Sequence, residues 1–204
     1  MTAQPDYDQA IAYAIDQLRL HLNPQLIYHN VWHTAGDVMP GAMELADLSG
    51  VHGRDRQLLR VAAANHDVGF IEMYEGHERV SIRIAQEALP DFGFAAEDVA
   101  QIVALIRVTI MPQSPQSLLG EILADADLGV LGRADFFERG ELLRQETVSF
   151  VEPVSLRAWD QRQLNFLQQH TYFTAAARQL RGSTKAEHIL KLEELLRNGR
   201  YADS

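Results

Sequence analysis

His66 and Asp67 stand side by side at the end of an alanine-rich apolar run, in the stretch Asn65-His66-Asp67-Val68-Gly69. An imidazole and a carboxylate together suit a divalent cation. His66 falls four residues after Ala62 and eight after Leu58, on the inward stripe of a helix. Asp67 then lies about 100° further round. Two adjacent side chains reach one ion most easily where a helix frays, and Gly69 marks such an end. A buried carboxylate without a partner is costly, and a metal ion offsets that cost. For the dipeptide alone, an exposed His-Asp pair at a helix C-terminus is the competing reading.

Other residues could join them. His29 and His33 are four apart, so they share a face if they lie on a helix. Asn30 stands where a His-Glu-x-x-His metalloprotease helix needs glutamate. It can instead cap a helix that begins at Val31. Asp125 and Asp127 interrupt the apolar segment from Leu123 to Leu128. They are about 200° apart on a helix, so one ion takes only one of them directly. The other pairs with a neighbour or orients a ligand. Glu78, next to His77, leads the apolar stripe Ile82, Ala85 and Leu89. It either points toward a site or complements the dipole at a helix N-terminus. Arg107 is either a surface side chain or a contact for a substrate phosphate.

The elements that must position these residues read as helices. Ile11, Ile15, Leu18 and Leu22 give a first helix, stopped by Asn23-Pro24. The second spans Val31 to Leu48 with a kink at Pro40. The third spans Asp55 to His66, and a fourth, headed by Glu78, closes at Pro90. Val99, Ile102, Val103, Ile106 and Ile110 give the cleanest helical pattern. A loop follows from Met111 to Ser117, then helices over Leu118–Leu131 and Phe136–Phe150. Leu156–Leu180 is one long helix or two, and Lys185–Arg197 is a final amphipathic one. Alternating strand patterns are missing. The expectation is a single all-α domain of roughly eight to ten helices, a bundle with a metal site between helices, without a cut at Glu152-Pro153.

The 204 residues carry a net charge of −10 and no cysteine. The charge argues against a nucleic-acid duplex as partner, but a bound cation would still allow a small phosphorylated substrate. Without cysteine there is no disulfide, thiolate ligand or cysteine nucleophile. The stretch from Met1 to Asp8 lacks a signal pattern, and no apolar run approaches a membrane span. A cytoplasmic protein is expected, without a membrane partner, and a homodimer is compatible with the sequence.

Taken in order, Tyr28-His29-Asn30-x-x-His33, His66-Asp67 and Ala126-Asp127-Leu128 resemble the HD superfamily of metal-dependent phosphohydrolases, over roughly residues 25–135. The resemblance implies an all-α fold, with the C-terminal helices over 136–200 packed on that core. It implies a divalent ion held by His33, His66, Asp67 and Asp127, with Asp125 as the alternative or outer ligand. The mixed nitrogen and oxygen set suits Mn, Fe, Co, Ni or Zn, and Mg through the carboxylates. The opening segment is also similar to cyclic nucleotide phosphodiesterase catalytic domains, which makes His29 the candidate general acid. Glu72, shortly after the His-Asp pair, is the residue to orient the attacking water. Two-metal relatives supply further histidines from later helices, and the helix ending in Arg107-Val108-Thr109 has none. One metal is therefore expected, with His77, Glu78 and Arg107 facing substrate. The expected activity is hydrolysis of a small phosphate ester, a nucleotide first of all, by a metal-activated water. A di-iron oxygenase on the same fold and a nucleotide-binding module without turnover are the alternatives.

Overall fold

The computed structural model describes residues 4–199 and 201; the N-terminal stretch read for a targeting signal lies partly outside them. Nine α-helices and no strand occur among the described residues, so the chain is all-α as its periodicity predicts. None of these helices is long and apolar enough to cross a membrane. Contacts gather the chain into two compact units, Met1–Asp127 and Leu128–Ser204.

In the first unit the helices are α1 (Tyr7–His21), α2 (Met39–Leu48), α3 (Gly53–Asn65), α4 (His77–Ala88), α5 (Ala96–Arg107) and α6 (Leu118–Asp127). α3 is central, and all five of the others pack on it. Its sequence explains why. From Val61 onward every side chain through Phe70 is buried, so this half of α3 meets protein on all sides. Small residues at Ala62, Ala63 and Ala64 let neighbouring helices approach closely.

The helix predicted from Val31 to Leu48 is helical throughout but changes winding. A π-helical segment, His33–Val38, precedes α2, and the Met39 N–H reaches back to the Thr34 carbonyl. Pro40 sits in the first turn of α2. Its ring has no N–H and would meet the carbonyl four residues back in regular α geometry. The expected kink is thus a wide turn placed just before the proline.

The second unit contains α7 (Phe136–Phe150), α8 (Leu156–Gln169) and α9 (Ala175–Asn198) after a 3-10 turn, Gly129–Gly132. Two boundaries differ from the periodicity reading. The helix expected over Leu118–Leu131 ends at Asp127, where Leu128-Gly129 turns into the 3-10 segment. Lys185–Arg197 is not separate but the distal part of α9, which runs through Gly182-Ser183-Thr184. The propensity cost of such residues, about 1 kcal/mol for glycine, is offset by burial of Arg181, His188 and Leu192 along the same helix.

Candidate metal centre

α3 ends at Asn65, and His66 and Asp67 lie at the junction with a 3-10 turn, Val68–Ile71. His66 keeps helical dihedrals, while Asp67 moves to φ −109° and ψ 6°. That is the sparsely occupied bridge region, where many active-site residues sit. The change of winding removes the 100° divergence of a regular helix and lets both side chains face one point. Gly69 holds this turn for a reason other than chain termination. A Cβ there would lie 2.0 Å from the His77 carbonyl oxygen and 2.7 Å from the Ser81 nitrogen. The first turn of α4 packs directly on the glycine backbone, and the Gly69 N–H donates to Ser81 Oγ at 2.8 Å.

Three elements converge on this point. The His33 ring comes from the start of the π-helical segment, where the Asn30 side chain accepts from the backbone N–H groups of Trp32 at 2.9 Å and His33 at 3.2 Å. Asp127 is the last residue of α6. His33 Nε2 lies 3.5 Å from Asp67 Oδ2 and 3.6 Å from Asp127 Oδ1. His66 Nε2 lies 3.2 Å from Asp67 Oδ2 and 3.5 Å from Asp127 Oδ1. One donor atom each from His33, His66 and Asp127 falls within 4.8 Å of the other two. Asp125, the alternative, is fully buried two residues earlier and is not part of this cluster.

Hydrogen bonding shows what the cluster is suited to hold. His66 Nδ1–H donates to the Ala63 carbonyl at 2.8 Å, which leaves Nε2 as the nitrogen turned toward the carboxylates, able to carry a proton or bind a cation. His66 Nε2 and Asp67 Oδ2 are both buried, face each other and have no hydrogen-bond partner. Two buried polar atoms left this way are costly unless a cation or proton lies between them. Metal bonds of about 2.0–2.2 Å put neighbouring donor atoms roughly 3–3.5 Å apart, close to the 3.2–3.6 Å found here. Asp127 also ends its helix, where the dipole disfavours an anion. The donor set and its spacing fit one divalent ion.

The charges respond accordingly. Burial works against a charged His33, yet Asp127, Asp37 and Asp67 raise its pKa to about 9. His66 is also pushed well above the usual histidine range, since Asp67 and Asp127 outweigh its burial. Burial would raise both carboxyls. His66 nevertheless holds Asp67 well below the ordinary range, and His33 and His66 bring Asp127 down to about 2. Protons on the two imidazoles thus occupy the field that a metal cation would take over.

The remaining predicted residues fall on and beyond the rim. His29 is half-buried, its ring stacked on Phe70 at 4.5 Å and 5.6 Å from the His33 ring. His77 opens α4, donates through Nδ1–H to the Tyr74 carbonyl at 2.9 Å and points Nε2 at Asp67 Oδ1, 3.3 Å away. Its pKa is raised, Asp67 outweighing burial. Glu78 Oε1 lies 3.8 Å from His77 Nε2. Glu72 is not brought to the cluster. It is half exposed and its carboxylate pairs with Arg83 at 2.5 Å, in a surface pocket of about 340 Å³ that Tyr13 and Phe92 also line. Arg107 is exposed at the C-terminal end of α5.

Three contributors went unread in the sequence. Asp37 is buried, with Oδ2 3.7 Å from His33 Nδ1, outside hydrogen-bond reach but close enough to polarise the ring. An acid four residues after His33 was the available signal. Phe70 contacts both rim histidines, stacking on His77 at 3.7 Å. Gln113, in the loop before α6, reaches Asp127 Oδ2 at 3.4 Å, and nothing in its sequence context points to it.

Residues 37–128 match the HD domain family. The match begins at Asp37, four residues after His33, and includes His66, Asp67 and Asp127. Among solved structures, a predicted HD superfamily hydrolase from an uncultured Thermotogales bacterium is similar, with 21% identity and a TM-score of 0.63 over 95% of this chain and 93% of that one. Bacillus subtilis YpgQ, solved in complex with ADP, is similar with 18% identity and a TM-score of 0.64 over 96% of this chain and 100% of that one. At these identities the likeness is one of fold. No curated protein sequence matches the chain.

Proposed function

We propose that this protein is a metal-dependent phosphohydrolase of the HD superfamily acting on a small phosphate ester, with nucleotides as the first class to test. The observation that carries the reading is the buried pair His66 Nε2 and Asp67 Oδ2, facing each other without hydrogen bonds among three carboxylates. His33, His66, Asp67 and Asp127 would hold one divalent ion. When bound, such an ion supplies Lewis acidity toward a phosphoryl oxygen and toward water. Asp37 polarises His33, and the Ala63 carbonyl fixes the tautomer of His66. His29, stacked on Phe70 at the rim, is placed to hold a proton for the leaving oxygen. Glu72 is left out, because Arg83 holds its carboxylate at the surface. The ADP held by YpgQ, a protein of similar fold, supports a nucleotide as ligand. Metal analysis of the purified protein and a hydrolysis assay across nucleoside mono-, di- and triphosphates and cyclic diesters test the proposal. Bound metal and metal-stimulated phosphate release, both abolished by His66→Ala and by Asp67→Ala, are expected. Protein that binds no divalent ion, or binds one and hydrolyses nothing, refutes it.

One observation favours a second reading. With its Nδ1–H committed to Tyr74, His77 directs Nε2 at the outer oxygen of Asp67, and once that nitrogen gives up its proton it would suit a second ion. Two metals per chain, falling to one in His77→Ala, would establish it.

A further inference from the structure

Gln113 lies in the loop 108–117 between α5 and α6. Its Nε2 amide donates to the Ala124 carbonyl at 3.3 Å and to Asp127 Oδ2 at 3.4 Å. Both acceptors belong to the negative end of α6. Ala124 lies in the last turn of that helix. Asp127 is its final residue, where a carboxylate meets the unfavourable pole of the dipole. A single neutral donor thus serves a carbonyl of the last helical turn and a misplaced anion together.

The loop that carries Gln113 is held against the same helix. A Cβ on Gly120 of α6 would stand 3.3 Å from the Pro115 and Val108 side chains, so side chains on either side of Gln113 pack against the helix. Asp127 divides its two oxygens between the two sides. Oδ1 faces His66 at 3.5 Å and His33 at 3.6 Å, and Oδ2 faces the Gln113 amide. Rotation of the carboxylate about its last torsion would exchange the two, and the amide opposes that rotation.

We infer that Gln113 is a positioning residue of the metal centre: its side-chain amide locks Asp127 so that Oδ1 points at the histidines, and the α5–α6 loop thereby sets metal affinity. The inference rests on reading this cluster as a metal centre. The residue type matters because Asp37, Asp67 and Asp127 already place three carboxylates around the site. Glutamate at 113 would add a fourth and take away the donor. Methionine keeps the length and volume and takes away the donor alone.

The test is a chelator competition with Mn²⁺ and with Zn²⁺ on the full chain, for wild type, Gln113→Met and Gln113→Glu, with a thermal melt of each metal-free protein. Loss of an outer-shell partner typically weakens metal binding about 10–100-fold. Gln113→Met is expected in that range with a melting temperature within about 2 °C of wild type, and Gln113→Glu weaker still. Metal affinity of Gln113→Met within threefold of wild type overturns the inference, because packing alone then accounts for the residue. So does weakened binding accompanied by a melting point lowered by more than about 4 °C, which marks a structural role. Wild-type protein that binds neither ion defeats the metal-centre reading itself. Wild type that binds while Gln113→Met binds equally well defeats only the role of Gln113.

Discussion

Replacing Gly69 by alanine places a methyl carbon 2.0 Å from the His77 carbonyl oxygen and 2.7 Å from the Ser81 nitrogen. Carbon–oxygen contacts in proteins run at about 3.3–3.6 Å, so the first turn of α4 and the Val68–Ile71 turn must separate by roughly 1.3 Å. Neither side yields readily. Val80, Ser81, Ile84 and Ala85 anchor α4 in the core, and Val68 and Phe70 anchor the turn. The clash is with backbone, so a rotamer change does not relieve it. Overpacking of this kind costs about 1–3 kcal/mol, and loss of the Gly69 N–H to Ser81 Oγ bond adds about 1 kcal/mol. For a chain of this size 1 kcal/mol corresponds to about 2–4 °C, so the melting temperature should fall by roughly 4–16 °C. The displacement also separates His77 from Asp67, now 3.3 Å apart. A misplacement of about 1 Å in a reacting site can cost on the order of 100-fold in rate. The assay is a thermal melt by circular dichroism beside metal titration and hydrolysis, with Gly182→Ala as control. A Cβ at Gly182, inside α9, meets nothing within 4 Å, and alanine raises helix propensity there by about 1 kcal/mol. A Gly69→Ala protein that melts with wild type and hydrolyses within twofold of it would refute the argument that this glycine sets the position of α4.

Asp37→Asn should weaken metal binding about 10–100-fold, since it removes the carboxylate 3.7 Å from His33 Nδ1; unchanged affinity in a chelator competition would show that Asp37 only fills space. Metal and proton compete for His33, whose pKa is raised to about 9. Affinity should therefore climb with pH up to about 9, and calorimetry at pH 7 in buffers of different ionisation enthalpy should record net proton release. Release of less than half a proton per chain contradicts the raised pKa. In the metal-free protein the same His33 proton stabilises the fold fully below the unfolded value of 6.5, and that contribution is lost as pH rises through about 9. It amounts to something on the order of 3 kcal/mol. Asp127, lowered to about 2 from 3.8, contributes above its unfolded value and is lost as pH falls toward 2. Denaturant melts of apo protein should show lower stability at pH 9 than at pH 6, and a flat profile there would count against this charge assignment. Finally, Glu72→Gln should hydrolyse within about twofold of wild type, whereas Glu78→Gln should lose rate; the opposite order would return Glu72 to the mechanism.

Much of the fold could be read in advance because it depends on stride alone. Leu58, Ala62 and His66 share one face of α3 for the same reason that Ile11, Ile15 and Leu18 share one face of α1. What resisted reading depends on departures from that stride. The π-helical winding that carries His33 and Asp37 is one such departure, although their i,i+4 spacing already puts them on one face of a regular helix. Gln113 acts from an irregular loop, where no periodicity applies. Which of Asp125 and Asp127 enters the cluster depends on how α6 is rolled against its neighbours, and two acids about 200° apart leave that choice to tertiary packing.

Asp67 shows the same division within one residue. Its identity and its neighbour made it conspicuous, yet on a continued α-helix it would point about 100° away from His66. It reaches His66 Nε2 at 3.2 Å because its backbone leaves the helix at φ −109° and ψ 6°. That departure holds because Gly69 admits the backbone of α4 immediately behind it. Since the α4 backbone also carries His77, the contact that bends the chain at Asp67 delivers the imidazole facing the outer oxygen of Asp67. The glycine two residues downstream therefore acts on both sides of the carboxylate, and for that reason a single methyl group at Gly69 is expected to disturb metal affinity and fold stability together.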